Sequence, residues 1–165
     1  MDFTIAKLTA AHPVAAFDCG RSALNVFLAR HALANQAMGG AQTYVGVAAS
    51  GALVGYYSLV VGETAHAEAP ERLAKGLAKH PIPVMILARL AIAQDWQGQG
   101  IGAGLLKDAF RRTLNAAEIA GIRAIIVHAK DESARMFYTH FGFQGWPERP
   151  LQLFILLKDV RSTGA

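Results

Sequence analysis

The chain has 165 residues with a formal net charge of +4, of which 53% are hydrophobic and 17% charged. That composition can bury a core and excludes a disordered chain, while no apolar run approaches the roughly 20 residues needed to span a bilayer. One cysteine, Cys19, excludes an intrachain disulfide framework and a multi-cysteine metal site; with no signal-peptide layout at the N-terminus, the expected compartment is a reducing cytoplasm.

Residues 22–36, SALNVFLARHALANQ, predict a helix with Leu24, Phe27, Leu28 and His31 on one side. Ser22 is its expected N-cap and Gly39-Gly40 its stop. Residues 42–49 and 52–61 predict two strands joined as a hairpin at Ser50-Gly51. The more polar stretch 63–83 carries Pro70, Pro81 and Pro83 and predicts a connecting excursion with a short helix near Glu71 to Lys79. A strand over 84–93 feeds a glycine-rich turn and a long helix, with Leu106, Phe110, Leu114 and Ala117 at helical spacing, ending near Gly121. Residues 122–128 predict another strand. Asp131 or Ser133 caps a second helix, ESARMFYTH, closed by Gly142, and residues 151–157 form the final strand. The order is mixed α/β around a largely central sheet, in one domain over residues 1–165.

The segment VMILARLAIAQDWQGQGIGAG, residues 84–104, carries the chemistry. Strand, glycine turn and helix together aim backbone N–H groups at phosphate. The glycines remove side chains that would block close approach, and the helix N-terminus adds partial positive charge. A pyrophosphate-bearing ligand is therefore expected. A Rossmann fingerprint wants an early strand–helix–strand unit and an acidic residue at the end of the next strand. Here the loop lies past the midpoint and Glu118 falls inside the helix. A Walker A loop lacks its closing Gly-Lys-Ser/Thr.

Gln97-Gly98-Gln99-Gly100-Ile101-Gly102 matches the pattern Gln/Arg-x-x-Gly-x-Gly/Ala at every fixed position. Phe137-Tyr138-Thr139-His140-Phe141-Gly142-Phe143 matches Phe-Tyr-x-x-x-Gly-Phe. On these two motifs, in this order, the chain resembles the GNAT family of acyl-CoA N-acyltransferases. The resemblance implies a GNAT fold, with a mixed central β-sheet splayed at the acetyl-CoA site and flanked by helices. It implies that the strand Leu87 to Ala93 pairs with the pantetheine arm, while Ile125 to His128 splays away to leave a slot for the thioester. Phe17-Asp18-Cys19-Gly20, Leu24-Asn25, His31 to Gln36, Gly55-Tyr56-Tyr57-Ser58-Leu59, Pro81-Ile82-Pro83 and Leu87-Ala88-Arg89-Leu90-Ala91 extend the likeness over nearly the whole chain. They resemble one GNAT branch, the TacT-type acetyltransferase toxins of bacterial toxin–antitoxin modules. That branch implies acetylation of the α-amino group of aminoacyl-tRNA, blocked translation, a ribbon-helix-helix antitoxin and a homodimer.

Acetylating an amine requires a neutral nucleophile, a stabilised oxyanion and a proton for the departing thiolate. An α-amine has a pKa of roughly 7.7 to 8.0, so a dedicated base is optional, and no Glu or Asp lies in strand 84–93. Inside its motif Tyr138 is the expected general acid, protonated at neutral pH with an ordinary pKa near 10; a tyrosine packed between Phe137 and Phe141 is the structural alternative. Backbone N–H groups from Gln99 to Ala103, through Gly100, Ile101 and Gly102, are expected to hold the pyrophosphate. One near Leu90, Ala91 or Ile92 would polarise the thioester carbonyl. Gly98 and Phe137 complete the expected coenzyme-binding set. Gln97 either assists the phosphates or is a solvated loop residue.

Lys107 and Arg111 either reach the nucleotide end or, as read here, form solvated helix face. Trp96 either stacks on a ligand ring or, as read here, caps the loop against the core, and Cys19 is read as a small buried apolar residue. His31, His128 and His140 share no metal-ligand spacing, so no metal is expected. Among the bases before the loop are Arg21, Arg30, Arg72, Lys75, Lys79 and Arg89. Arg89 either points into an acceptor groove or is a salt-bridged strand residue. Two other functions stay open. One is acetylation of a protein N-terminus or a small amine, although only 12 acidic residues disfavour a small cationic acceptor. The other is a non-catalytic acyl-CoA-binding regulatory subunit, against which the intact Tyr138 motif argues.

Overall fold

The computed structural model describes residues 2–163. Its strands are β1 (Phe3–Lys7), β2 (Gln42–Ala48), β3 (Leu53–Thr64), β4 (Ile82–Ile92), β5 (Ala124–His128), β6 (Gln144–Trp146) and β7 (Arg149–Leu156). Its helices are α1 (Ser22–Val26), α2 (Ala32–Ala37), α3 (Glu71–Ala74), α4 (Ile101–Ala117), α5 (Glu132–His140) and α6 (Leu157–Ser162). The sheet is mixed, in the order β1-β2-β3-β4-β5-β7-β6. The chain forms two units, Met1–Val60 with Ala88–Ala109, and Val61–Leu87 with Phe110–Ala165.

In the first unit β1 runs antiparallel to β2 from Phe3 opposite Ala48 to Lys7 opposite Tyr44. The expected hairpin is present as β2 and β3, with Tyr44 opposite Tyr57 and Gly51 in the turn at φ +90°. Strand β1 was not legible, because FTIAK carries little alternation of its own and pairing with β2 decides it. The expected helix over 22–36 is present but interrupted. Between α1 and α2, Phe27–His31 form a π-type turn in which the Ala32 N–H donates to the Phe27 carbonyl, five residues back. Arg21, not Ser22, occupies the N-cap and offers no side-chain acceptor. Leu8, Phe17, Phe27, Leu28, Val45, Leu53 and Tyr56 form the core, each large apolar side chain worth about 1.5–3 kcal/mol on burial.

Two contacts seat the start of α4 on the strands. A Cβ at Gly55 would lie 2.8 Å from Leu105 Cδ1 and 2.9 Å from the Ala91 carbonyl, so only glycine permits this approach. Tyr57, fully buried, donates its hydroxyl to Asp108 Oδ2 at 2.5 Å, which supplies a partner for a carboxylate taken out of water.

In the second unit β4 and β5 run parallel, from Val84 opposite Ala124 to Leu87 opposite Val127, and β4 continues to Ile92. Residues Ala124 to Val127 are all buried, as a central strand covered on both faces requires. Strand β7 lies antiparallel to both β5 and β6. Leu73, Ile82, Val84, Ile126, Trp146, Phe154 and Leu156 form this unit's core. The short helix ends at Ala74 rather than Lys79, because the Arg123 guanidinium takes the Leu73 and Lys75 carbonyls at 3.0 Å each. Asp131, not Ser133, caps α5, its Oδ1 accepting the Ala134 N–H at 2.8 Å. Helix α4 stops at Ala117, before Gly121, and Leu157 begins α6 instead of finishing β7.

Candidate active site

From Ile92 the chain makes a 3-10 turn over Gln94–Trp96, passes through four loop residues and enters α4 at Ile101. Gly98 and Gly100 have φ of +76° and +82°, and a Cβ at either would meet nothing within 4 Å. Within the protein itself both glycines are therefore required by backbone conformation, not by crowding from neighbouring side chains. The first helical bond runs from the Gly104 N–H to the Gly100 carbonyl. Among the described residues, the N–H groups of Gly98, Gln99, Gly100, Ile101, Gly102 and Ala103 have no backbone acceptor. The last three are first-turn donors of α4, at the positive end of its dipole.

Both glutamine side chains of the loop bond back to the main chain. Gln97 donates from Nε2 to the Cys19 carbonyl at 3.1 Å and to the Ile92 carbonyl at 3.0 Å, and Gln99 donates to the Asp95 carbonyl at 3.2 Å. The Gln97 side chain, although exposed, is thus engaged through its amide nitrogen by two main-chain carbonyls. It staples the loop to the segment around Cys19, which the sequence motif did not reveal. That segment is fixed in turn by Asp18 Oδ1, which accepts from the Gly20 N–H and from Asn25 Nδ2. These donors hold the Asp18 carboxyl below its ordinary range. The Gln94 N–H reaches the Asp18 carbonyl at 2.9 Å. Trp96 packs against the first unit's core, and Cys19 is buried, both as expected. Beside this loop Ala91 is buried while Leu90 and Ile92 are half-buried.

In the second unit the Phe-Tyr-x-x-x-Gly-Phe motif is a helix-ending device. The Phe143 N–H bonds to the Tyr138 carbonyl and the Gly142 N–H to the Thr139 carbonyl, with Gly142 at φ +98°. That is a Schellman ending, and its usual apolar contact is the edge-on packing of Tyr138 against Phe143 at 5.3 Å. Phe137 meets the other side of Tyr138 at 5.2 Å. The flanking ring is therefore Phe143 rather than Phe141. The Tyr138 ring is buried, and among the described residues its hydroxyl has no hydrogen-bond partner. Burial pushes the phenol up to about 12, since the phenolate is the form that suffers from desolvation.

The basic residues divide. Arg72 and Lys75 line one cleft with Glu71, Arg123 and Lys158; Arg123 and Lys158 carried no sequence signal. Arg72 also pairs with Asp159 at 2.7 Å. Arg89 makes no salt bridge among the described residues and instead lies over the Phe27 ring. His31, His128, His140 and Lys107 are exposed. Among the described residues no group of three His, Cys, Asp or Glu could hold a metal ion, and no helix is long and apolar enough to cross a membrane.

Residues 39–145 match the acetyltransferase (GNAT) domain family. The chain is 42% identical to a tRNA-acetylating toxin of Mycobacterium tuberculosis over 94% of its own length and 93% of that protein. It superimposes on AtaT complexed with acetyl-methionyl-tRNAfMet with a TM-score of 0.90 and 31% identity, covering 99% of this chain and 100% of that one. A mutant of AtaT bound to acetyl-CoA and to the C-terminus of the antitoxin AtaR matches with a TM-score of 0.84 and 30% identity, covering 100% and 99%.

Proposed function

We propose that this chain, which belongs to the GNAT family of acetyltransferases, moves the acetyl group of acetyl-CoA onto the α-amine of aminoacyl-tRNA and so blocks translation. The observation that carries this reading is its near full-length likeness to a relative named for tRNA acetylation. The open donors of Gly98 to Ala103 suit the coenzyme's pyrophosphate, which a main-chain cradle binds without side-chain charge. The N–H groups of Leu90 to Ile92 suit the thioester carbonyl, where a fixed donor stabilises the oxyanion as it forms.

The amine attacks the carbonyl carbon, an N–C bond forms, and the C–S bond breaks. Tyr138, permanently protonated at neutral pH, gives its proton to the leaving sulfur and recovers one from the amine nitrogen. Phe137, edge-on to the phenol's ring at 5.2 Å, fixes its orientation. A cytoplasmic protein, a homodimer and a ribbon-helix-helix antitoxin partner belong to the same reading. Residues 1–165 act as one domain; the unit boundaries fall inside β3, β4 and α4 rather than in linkers, which supports this. The test is transfer of labelled acetyl from acetyl-CoA to charged and deacylated tRNA. Labelling of charged tRNA alone, lost in Tyr138→Phe with acetyl-CoA binding retained, is the expected result. No transfer to any charged tRNA overturns the proposal.

A further inference from the structure

One cation of the first unit has no role in the steps above. Arg89 is half-buried on β4, and its Cζ stands 3.5 Å from the centroid of the Phe27 ring. A guanidinium at that distance is held flat against the ring by the quadrupole and by dispersion. The platform beneath it is rigid. Phe27 stacks on Tyr56 at 6.4 Å and 19°, and Tyr56 is fully buried with its hydroxyl donating to the Leu24 carbonyl. The ring is also set by the π-type turn at Phe27–His31, which no glycine or proline forces. Single π turns inside helices recur at functional sites. Among the described residues Arg89 donates no hydrogen bond and meets no carboxylate. A half-buried guanidinium laid over a ring keeps its N–H fork available to an anion from outside the fold.

We infer that Arg89 binds a phosphate of the acceptor, namely a phosphodiester in the single-stranded RNA end that carries the amino acid. This rests on the function proposed above. A planar fork of N–H donors matches phosphate oxygens two at a time. Coenzyme A also carries phosphates, but side chains alternate across a strand, and Arg89 lies on the opposite face of β4 from Ile92. Ile92 Cδ1 and Leu105 Cδ1 of α4 share one face at Gly55, and α4 begins at the coenzyme loop. Arg89 faces the α1–α2 side with Phe27, away from that helix.

The experiment measures steady-state acetylation by the full chain and by Arg89→Gln and Arg89→Lys. It uses three variable substrates: acetyl-CoA, charged tRNA, and a phosphate-free 3′-aminoacylamino-adenosine. Arg89→Gln is expected to raise KM for charged tRNA about tenfold. KM for acetyl-CoA and kcat/KM on the nucleoside stay within about twofold. The slope of log kcat/KM against log salt becomes shallower by about 0.7 for the lost phosphate contact, and Arg89→Lys keeps the wild-type slope. A raised KM for acetyl-CoA instead assigns the guanidinium to the coenzyme and overturns the inference. Equal losses on tRNA and nucleoside with an unchanged salt slope mark a packing residue and also overturn it. A wild type that acetylates the nucleoside but no charged tRNA refutes the function itself, and this inference falls with it.

Discussion

Gln97 is the side chain whose change tests the coenzyme loop most directly. Its single amide nitrogen bonds the Cys19 and Ile92 carbonyls, and so ties the loop to a segment 78 residues earlier and to the end of β4. Each neutral bond is worth about 0.5–1.5 kcal/mol net, so losing both costs about 1–3 kcal/mol. Gln97 is exposed and water can replace part of what is lost, which places the cost near the low end. Since about 1.4 kcal/mol is a factor of ten, Gln97→Met should weaken acetyl-CoA binding about tenfold. Gln97→Glu should be worse at pH 8, where the carboxylate is an acceptor facing two acceptors, and should recover partly at pH 4, below the ordinary glutamate pKa of about 4.3, as a donor returns. Gln97→Arg, which keeps donors, should stay within about threefold of wild type. Calorimetric titration with acetyl-CoA at both pH values reads all three, beside thermal unfolding to separate loop from global effects. If Met and Glu variants bind like the wild type at both pH values, Gln97 does not hold the loop.

Two further outcomes follow from the second unit. Because burial raises the Tyr138 phenol to about 12, the proton stays on through pH 10, and only the acceptor amine titrates in the working range. The pH profile of kcat/KM on a stable amide-linked acceptor should rise to a plateau above the amine pKa of about 8 with no fall by pH 10.5; a descending limb at or below pH 10 contradicts a buried phenol. Gly142→Ala forces a Cβ into φ +98° and to 3.3 Å from Ile155 Cδ1. It should cost about 1–2 kcal/mol, a fall in Tm of about 3–6 °C, and Gly142→Asn should recover part of it. An alanine variant melting with the wild type removes the Schellman ending as the reason for this glycine.

Local chemistry was legible in the sequence. The hairpin at Gly51, the Asp131 cap, the Gly98 and Gly100 turn and the helix ending at Gly142 each rest on φ or on a partner a few residues away. Both sequence motifs and the α/β order are of this kind, because neighbours in sequence supply nearly all the restraint. Elements settled by distant partners were not legible. Strand β1 exists through β2, α3 ends where Arg123 takes its carbonyls, and the helix over 22–36 gives way to a π turn beneath a stacked arginine. Gln97 read as a phosphate ligand or a solvated residue, and Arg89 as groove-facing or salt-bridged, because their donors were visible but their acceptors were not. The sequence by itself determined which groups could donate, accept or turn the chain. Only the tertiary structure decided which of them meet, since a hydrogen bond across 78 residues depends on the packing of everything between.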